Sequence, residues 1–483
     1  MLFPTFQFVL IFLPIVLCIY ALMKSKGYSR YTVGFLLLAS MLFYLLPNWK
    51  YGYVITGSIV INYVLSKIIQ SYKDRRSKLF LIIGIVFNLG LIGYFKYLFF
   101  FSTIAADLTG AEFSITKLIL PVGISFYTFQ QIAYLVDCFR YRDIHYNFFE
   151  YALFISFFPQ LIAGPIVHHK QLMPQIHKLK STPFDLEKWK IGIGFFIIGL
   201  AKKLVLADNL ANLANPVFIQ ADNNAPVDTL AAWMGSIAYT LQLYFDFSAY
   251  SDMAIGLGLM FGISLPINFL SPYKSPSIVE FWRRWHITLS SFLRDYLYIA
   301  LGGNRKGKIR RYTNLLITML LGGLWHGAGW NFIIWGGLHG IYLVINHLFS
   351  SLSSGLNFAI PKLLSIAITF LGVVVAWVFF RAETTQGAWH ILSAMMGLQT
   401  GNSLLWIPFD YLLVATGLAF VWFMPNTTQL FGYSEQTGRI KLPHHFQHLD
   451  LNDSRLFPLL LGILLALAFM FIPQPSVFIY FNF

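Results

Sequence analysis

Apolar runs of roughly 18 to 22 residues, the length of a helix that crosses a bilayer, recur from the first residues of the chain to the last. They begin with Phe6 to Leu22, Thr32 to Leu46, Tyr51 to Leu65 and Leu79 to Phe101, and continue with Leu118 to Val136. The run from Phe148 to Val167 is equally apolar but holds Pro159, Gly164 and Pro165, so it reads as a broken or re-entrant segment. A polar, basic stretch from His168 to Lys190 follows, then a span from Ile191 to Leu206 and an outward-facing acidic loop carrying Asp208, Asp222 and Asp228. Residues 229–263 form one long or two short helices, and 313–349, 363–381, 404–424 and 457–481 supply the remaining spans. The pattern predicts an all-α, polytopic membrane protein of about eleven spans in one embedded domain covering the whole chain. Alternating segments of about ten residues, the mark of an outer-membrane barrel, are absent. Late in the chain only Gly432 to Arg455 looks like a substantial polar loop, and it suggests no role.

Composition agrees with the pattern: 57% of the 483 residues are hydrophobic and 11% charged, which excludes a soluble multidomain enzyme. The net charge of +14 has its natural place in short cytoplasmic loops, so nucleic acid is not needed to explain it. Lys24, Lys26 and Arg30 follow the first run, Lys67 to Lys78 the third, and Arg140 and Arg142 the fifth, whereas Asp107 and Glu112 lie on the other side. This alternation sets the N-terminus outside and is the reverse of a cleavable secretory signal. Cys18 and Cys138 are too few and too differently placed for a disulfide framework. No zinc spacing, phosphate loop or dinucleotide fingerprint occurs, so no bound metal is expected and a nucleotide-driven pump is not indicated.

Chemistry concentrates between Asp246 and Arg311. After residue 270 this region holds Lys274, Arg283, Arg284, Arg294, Arg305, Lys306, Lys308, Arg310 and Arg311 against Glu280 and Asp295. A positive-inside loop accounts for such a run. A dock for an anionic acyl donor, coenzyme A or an acidic acyl carrier protein, accounts for it equally. His286 and His326 fall at or near membrane depth, where an ionisable side chain is expensive and points to function unless it is merely hydrogen-bonded between helices. A neutral imidazole in a partly dry site is suited to take a proton from a hydroxyl that attacks an acyl carbonyl. Glycines around His326 allow close approach either of a long donor or of a neighbouring helix. His339 and His347 need not share a helical face with His326 and are expected to pack. Asp246 and Asp252 are carboxylates within an apolar stretch, placed to orient a histidine, bind an acceptor or make structural hydrogen bonds. No Gly-x-Ser-x-Gly elbow supports a covalent serine mechanism.

These residues also carry a resemblance. Pro121 to Gln130, Phe158 to Val167, Asp246 to Gly258, Asn268 to Pro272, Glu280 to His286, Leu293 to Ile299, Leu301 to Arg305, Trp325-His-Gly327 and Val378 to Ala382 resemble the membrane-bound O-acyltransferase family, in particular its bacterial alginate O-acetylation branch. The resemblance implies that His326 is the catalytic histidine, with His286 the second, and that Trp325, Asp246, Asp252, Asn268, Arg283, Arg284 and Arg305 lie along the substrate path. It also implies a ring of helices around a tunnel, in the bacterial inner membrane. The implied reaction passes an acyl group, most simply acetyl, from a cytoplasmic acetyl-CoA or carrier-protein donor toward an exported polysaccharide. An extracytoplasmic SGNH-like partner would complete the transfer. A related branch moves D-alanine from a carrier protein. His168 and His169 depart from the pattern, which has an arginine or aromatic residue there. Two other readings, a polymer transporter and a non-catalytic scaffold, make opposite demands: the first an ion gradient, the second histidines that tolerate replacement.

Overall fold

The computed structural model describes residues 2–110, 116, 118–356, 360–399, 401, 406–434, 456–472 and 478–479, and the polar loop up to Arg455 lies almost wholly outside them. Every regular element among these residues is helical, and two compact units emerge, interleaved along the chain. Among the described residues five helices are long and apolar enough to cross a membrane, and Ser29–Leu45, Pro408–Phe423 and Leu456–Phe471 are shorter apolar helices. The chain is a multi-pass membrane protein. The sequence pattern suggests more spans than this because several apolar runs are interrupted or carry buried polar side chains.

The first unit comprises residues 1–196 and 250–266. It contains α1 (Leu13–Ser25), α2 (Thr32–Leu45), α3 (Gly52–Ser71), α4 (Arg75–Ile92), α5 (Leu98–Thr109), α6 (Ile124–Tyr141), α7 (Phe148–Ser156), α8 (Phe158–Leu161), α9 (His169–Lys178) and most of α10 (Leu186–Ala201). The segment expected to break does so, but at Phe157, whose extended ψ of 107° ends α7; Pro159 instead sits in the first turn of α8, where its missing N–H costs nothing. Gly123 is left-handed, and a Cβ there would lie 2.6 Å from the Leu161 carbonyl oxygen, so this loop meets the break only as glycine. Phe8, Phe12, Phe43 and Phe158 interlock at ring-centroid distances of 5.3–6.2 Å.

Within that unit, α3, α4 and α6 are joined by a buried amide network. Ser58 Oγ donates to Gln131 Oε1 (2.6 Å), Asn62 Nδ2 to Gln131 Oε1 (2.7 Å), and Asn88 Nδ2 to Asn62 Oδ1 (2.6 Å) and to the Gly84 carbonyl (2.7 Å). His169, the departure noted above, is buried and its Nε2 lies 3.4 Å from Asp137 Oδ2. At the start of α7, Asn147 and Glu150 form a capping box, and Glu150 takes His177 (2.9 Å) and Lys180 (2.6 Å) as ion partners. Burial alone would raise the Glu150 carboxyl, but Lys180, His177 and the Asn147 N–H outweigh it and hold the group below its ordinary value.

The second unit, residues 197–249 and 267–483, takes the rest. Its helices are α11 (Asp208–Asp222), α12 (Thr229–Met260, whose end belongs to the first unit), α13 (Ile278–Arg284), α14 (Ile287–Phe292), α15 (Gly307–His326), α16 (Trp330–Leu356), α17 (Lys362–Arg381), α18 (Thr385–Met395), α19 (Pro408–Phe423), α20 (Thr427–Leu430) and α21 (Leu456–Phe471). Residues 229–263 resolve into one helix of 32 residues plus a turn. The expected acidic loop is a correction: Asp208 to Asp222 is helical, with Leu210, Leu213, Ala214, Val217, Phe218 and Ala221 buried at helical spacing. Asp222 binds the backbone N–H and hydroxyl of Thr384 at 3.0 Å each and so fastens the start of α18.

α15 and α16 form an antiparallel hairpin whose turn lies at Gly327 to Gly329. A Cβ on Gly323 would sit 2.2 Å from the Phe332 carbonyl oxygen, and one on Gly336 would sit 2.3 Å from that of Met319. Backbone-to-backbone contact of this kind is what small residues give helices in a membrane. The glycines near His326 therefore serve packing of the hairpin.

Candidate active site

His326 is the last residue of α15, and the chain turns away immediately afterwards because a Cβ on Gly327 would overlap the Phe332 ring at 2.0 Å. The imidazole is 5% exposed and walled by aromatic rings: Trp325 (4.9 Å), Trp335 (5.0 Å) and Phe380 (5.1 Å), all edge-on.

His286 reaches the same place from a different element. It joins α13 to α14 in a left-handed conformation (φ 44°), uncommon for a side chain of this size. Asn268 holds it there. The Asn268 carbonyl oxygen accepts the Ile287 N–H (3.0 Å), while Asn268 Oδ1 accepts from Thr288 N–H (3.3 Å) and Thr288 Oγ1 (2.9 Å) and lies 3.2 Å from His286 Nδ1. An oxygen that already accepts two hydrogen bonds is an acceptor, so Nδ1 carries the proton of the neutral ring and Nε2 is left with its lone pair. That Nε2 is fully buried and has no hydrogen-bond partner among the described residues. The ring packs against Phe247 at 4.7 Å and Trp325 at 6.4 Å. Trp325 is thus the common neighbour of both histidines, forty residues apart in sequence.

A third histidine, which the sequence assigns to packing, shares Trp335 with His326. His339 on α16 is fully buried, lies 4.8 Å from Trp335 and 5.1 Å from Trp282, and among the described residues neither ring nitrogen has a hydrogen-bond partner. Trp282 in turn lines a cavity of about 530 Å³ together with Arg283, Arg294, Arg311 and His347. Rings therefore run in steps of about 5 Å from the basic cavity through Trp282, His339 and Trp335 to His326.

Residues 89–384 match the sequence model of the membrane-bound O-acyltransferase family. Over 425 residues, 82% of this chain and 80% of the relative, the protein is 44% identical to the peptidoglycan O-acetyltransferase of Helicobacter pylori. The chain belongs to the membrane-bound O-acyltransferase family. It is 43% identical to the probable alginate O-acetylase of Pseudomonas aeruginosa across 83% of this chain and 76% of the other. The teichoic acid D-alanyltransferase of Streptococcus thermophilus is 31% identical across 47% of this chain and 56% of its own.

The remaining candidates of this O-acyltransferase separate by position. Asp246 is held in a buried ion pair: its Oδ1 is 2.8 Å from Lys203 Nζ, which also reaches Asp208 (2.7 Å), and its Oδ2 accepts the Ile479 N–H (2.9 Å). Asp252 is buried in the part of α12 that belongs to the first unit. Arg283 faces the 530 Å³ cavity, Arg284 is paired with Glu280 (2.9 Å) and lines a different one, and Arg305 is exposed and lines neither. Arg294 is held by both oxygens of Asp295 (2.7 and 3.0 Å), which raises its affinity for its proton. Sequence reasoning missed Trp282, Trp335 and Lys203. Only Trp282 stood within a quoted motif, and nothing in a one-dimensional pattern pairs Lys203 with a carboxylate 43 residues later.

Proposed function

We propose that this enzyme moves an acetyl group from a cytoplasmic thioester, acetyl-CoA or an acyl carrier protein, toward hydroxyls of an exported polysaccharide, with His326 as the proton-transfer residue. The observation that carries the reading is the convergence of His286 and His326 on Trp325 inside an otherwise apolar helical unit. The Helicobacter pylori and Pseudomonas aeruginosa relatives, both above 40% identity, bear names that specify acetyl transfer, to peptidoglycan and to alginate, which supports acetyl over D-alanine as the group transferred. The donor's phosphates suit the cavity lined by Arg283, Arg294 and Arg311.

In this scheme a hydroxyl oxygen bonds to the acyl carbon while His326 accepts its proton. The carbon–sulfur bond then breaks and the leaving thiolate takes that proton from His326, which restores the neutral imidazole and releases a free thiol. His286, with its lone pair at Nε2 and Nδ1 tied to Asn268, orients the attacking hydroxyl. The protein works in the bacterial inner membrane, and an SGNH-like extracytoplasmic partner carries the group to the final hydroxyl. The test is the ester-linked acetyl content of the exported polymer in cells making wild type or His326→Ala at matched membrane levels. Loss of acetyl supports the mechanism. An unchanged acetyl content with a well-inserted variant overturns the role of His326.

A further inference from the structure

Two cavities adjoin on the second unit, away from the donor cavity, and share Pro276 and Ser277 on their rims. The first, about 380 Å³, is an apolar slot between α16 and α17, with Ile345, Phe349, Ile368 and Gly372 along it. Ile345 and Ile368 are 56% and 53% exposed, so the slot opens toward the lipid. The second, about 860 Å³, is a basic bay holding Lys274, Arg284 and Lys362 beside Trp422. Glu280 neutralises Arg284, and Lys274 Nζ donates to the Met424 carbonyl (2.7 Å), so the bay keeps an excess of positive charge. Burial and Arg284 both lower the Lys274 pKa, as expected where cations crowd without enough anions.

Position completes the case. Because α16 runs back antiparallel to α15, its end and the start of α17 at Lys362 return to the side where Lys306, Lys308, Arg310 and Arg311 stand. The charge asymmetry of the loops makes that side cytoplasmic. From Lys362 to Gly372 the slot extends ten residues into the membrane, about 15 Å at helical rise. A free phosphate would fill only the bay, and a neutral lipid would leave the cations unmatched.

The geometry points to a binding site for one anionic phospholipid of the cytoplasmic leaflet, its phosphate among Lys274, Lys362 and Arg284 and one acyl tail in the slot between α16 and α17. Tyr342 lines the slot and packs on the ring of His339 at 5.8 Å, so the tail braces the helix that carries His339. The site does not depend on the acetyl-transfer mechanism.

The experiment uses the full chain reconstituted in equimolar phosphatidylglycerol and phosphatidylcholine, extracted in mild detergent, with retained lipid identified by native mass spectrometry. Wild type should retain phosphatidylglycerol preferentially, by about fivefold for each unneutralised lysine, and lose the preference as ionic strength rises. Lys274→Gln with Lys362→Gln should bring the two lipids near parity. Gly372→Leu, whose side chain enters the slot without a backbone clash, should lower retention of both. Parity in wild type overturns the proposal, as does a preference that a monodisperse double variant and added salt leave intact. Release of the lipid by low concentrations of coenzyme A would instead make this bay the donor's and also overturn it. Since the readout is lipid, His326→Ala should leave it unchanged, and a failure of the catalytic reading is told apart from a failure of this one.

Discussion

Two buried polar clusters in this molecule obey opposite rules. In the first unit, Ser58, Asn62, Asn88 and Gln131 give and accept hydrogen bonds among themselves across three helices. In the second, the Nε2 of His286, both nitrogens of His339 and the indole N–H groups of Trp282 and Trp335 are buried among aromatic rings without such partners. The network holds helices together although Gln131 Nε2 is left over from it, whereas each unsatisfied buried group costs roughly 1–3 kcal/mol.

The largest effect that can break this contrast is expected at His326. His326→Ala should lower acetyl transfer by about 10²- to 10⁴-fold while membrane insertion and thermal stability in detergent stay near wild type, as measured by transfer assay and melting on the same preparation. Next comes the buried ion pair, which lies with the histidines in the second unit but behaves like the network of the first. Lys203→Met should cost about 3–5 kcal/mol by stranding Asp246, visible as poor yield and early melting. A stable Lys203→Met protein that cannot transfer acetyl would instead place Asp246 on the substrate path.

Smaller effects sharpen the comparison. Asn62→Ala should destabilise by about 1–3 kcal/mol in denaturation and leave transfer per folded molecule unchanged. His339→Phe should do the reverse: a melting temperature at or above wild type, because two unpartnered nitrogens disappear, with reduced transfer. Smallest is the pH effect at Glu150. Its carboxyl is held below the ordinary value, so its contribution is present above the usual carboxylate range and fades as pH falls through the lowered value. Glu150→Gln should flatten the acid limb of a stability-versus-pH curve, and an unchanged limb would exclude this residue as its cause.

Much of this was legible along the chain. Long apolar runs identified the membrane helices, Pro159 marked the broken segment two residues from Phe157, and the two motif histidines stood out as ionisable groups among apolar neighbours. Other features were hidden for physical reasons. Asp208 and Asp222 suggested a loop because their charges and Pro216 masked an apolar stripe that repeats every three to four residues. His339 was expected to pack, and the structure sets it among Trp282, Trp335 and Tyr342, a neighbourhood across helices that the angles on one helix cannot report. Arg305 appeared equal to Arg283 and Arg311 in a row of cations, but a turn before α15 leaves it facing outward while the other two face one cavity.

With the proposed donor seated by Arg311 and reacting at His326, the length of α15 sets the reach of its arm. Arg311 and His326 are fifteen residues apart on one uninterrupted helix, which separates them by about 22 Å at 1.5 Å per residue. A donor whose anionic head rests by Arg311 must therefore present its reactive carbonyl at the end of an arm of that reach. Small activated acyl groups such as acyl phosphates fall short, and a flexible tether of comparable length spans the gap. The helix acts as a ruler: inserting one turn between Thr313 and Leu321 would demand a longer arm, and deleting one a shorter.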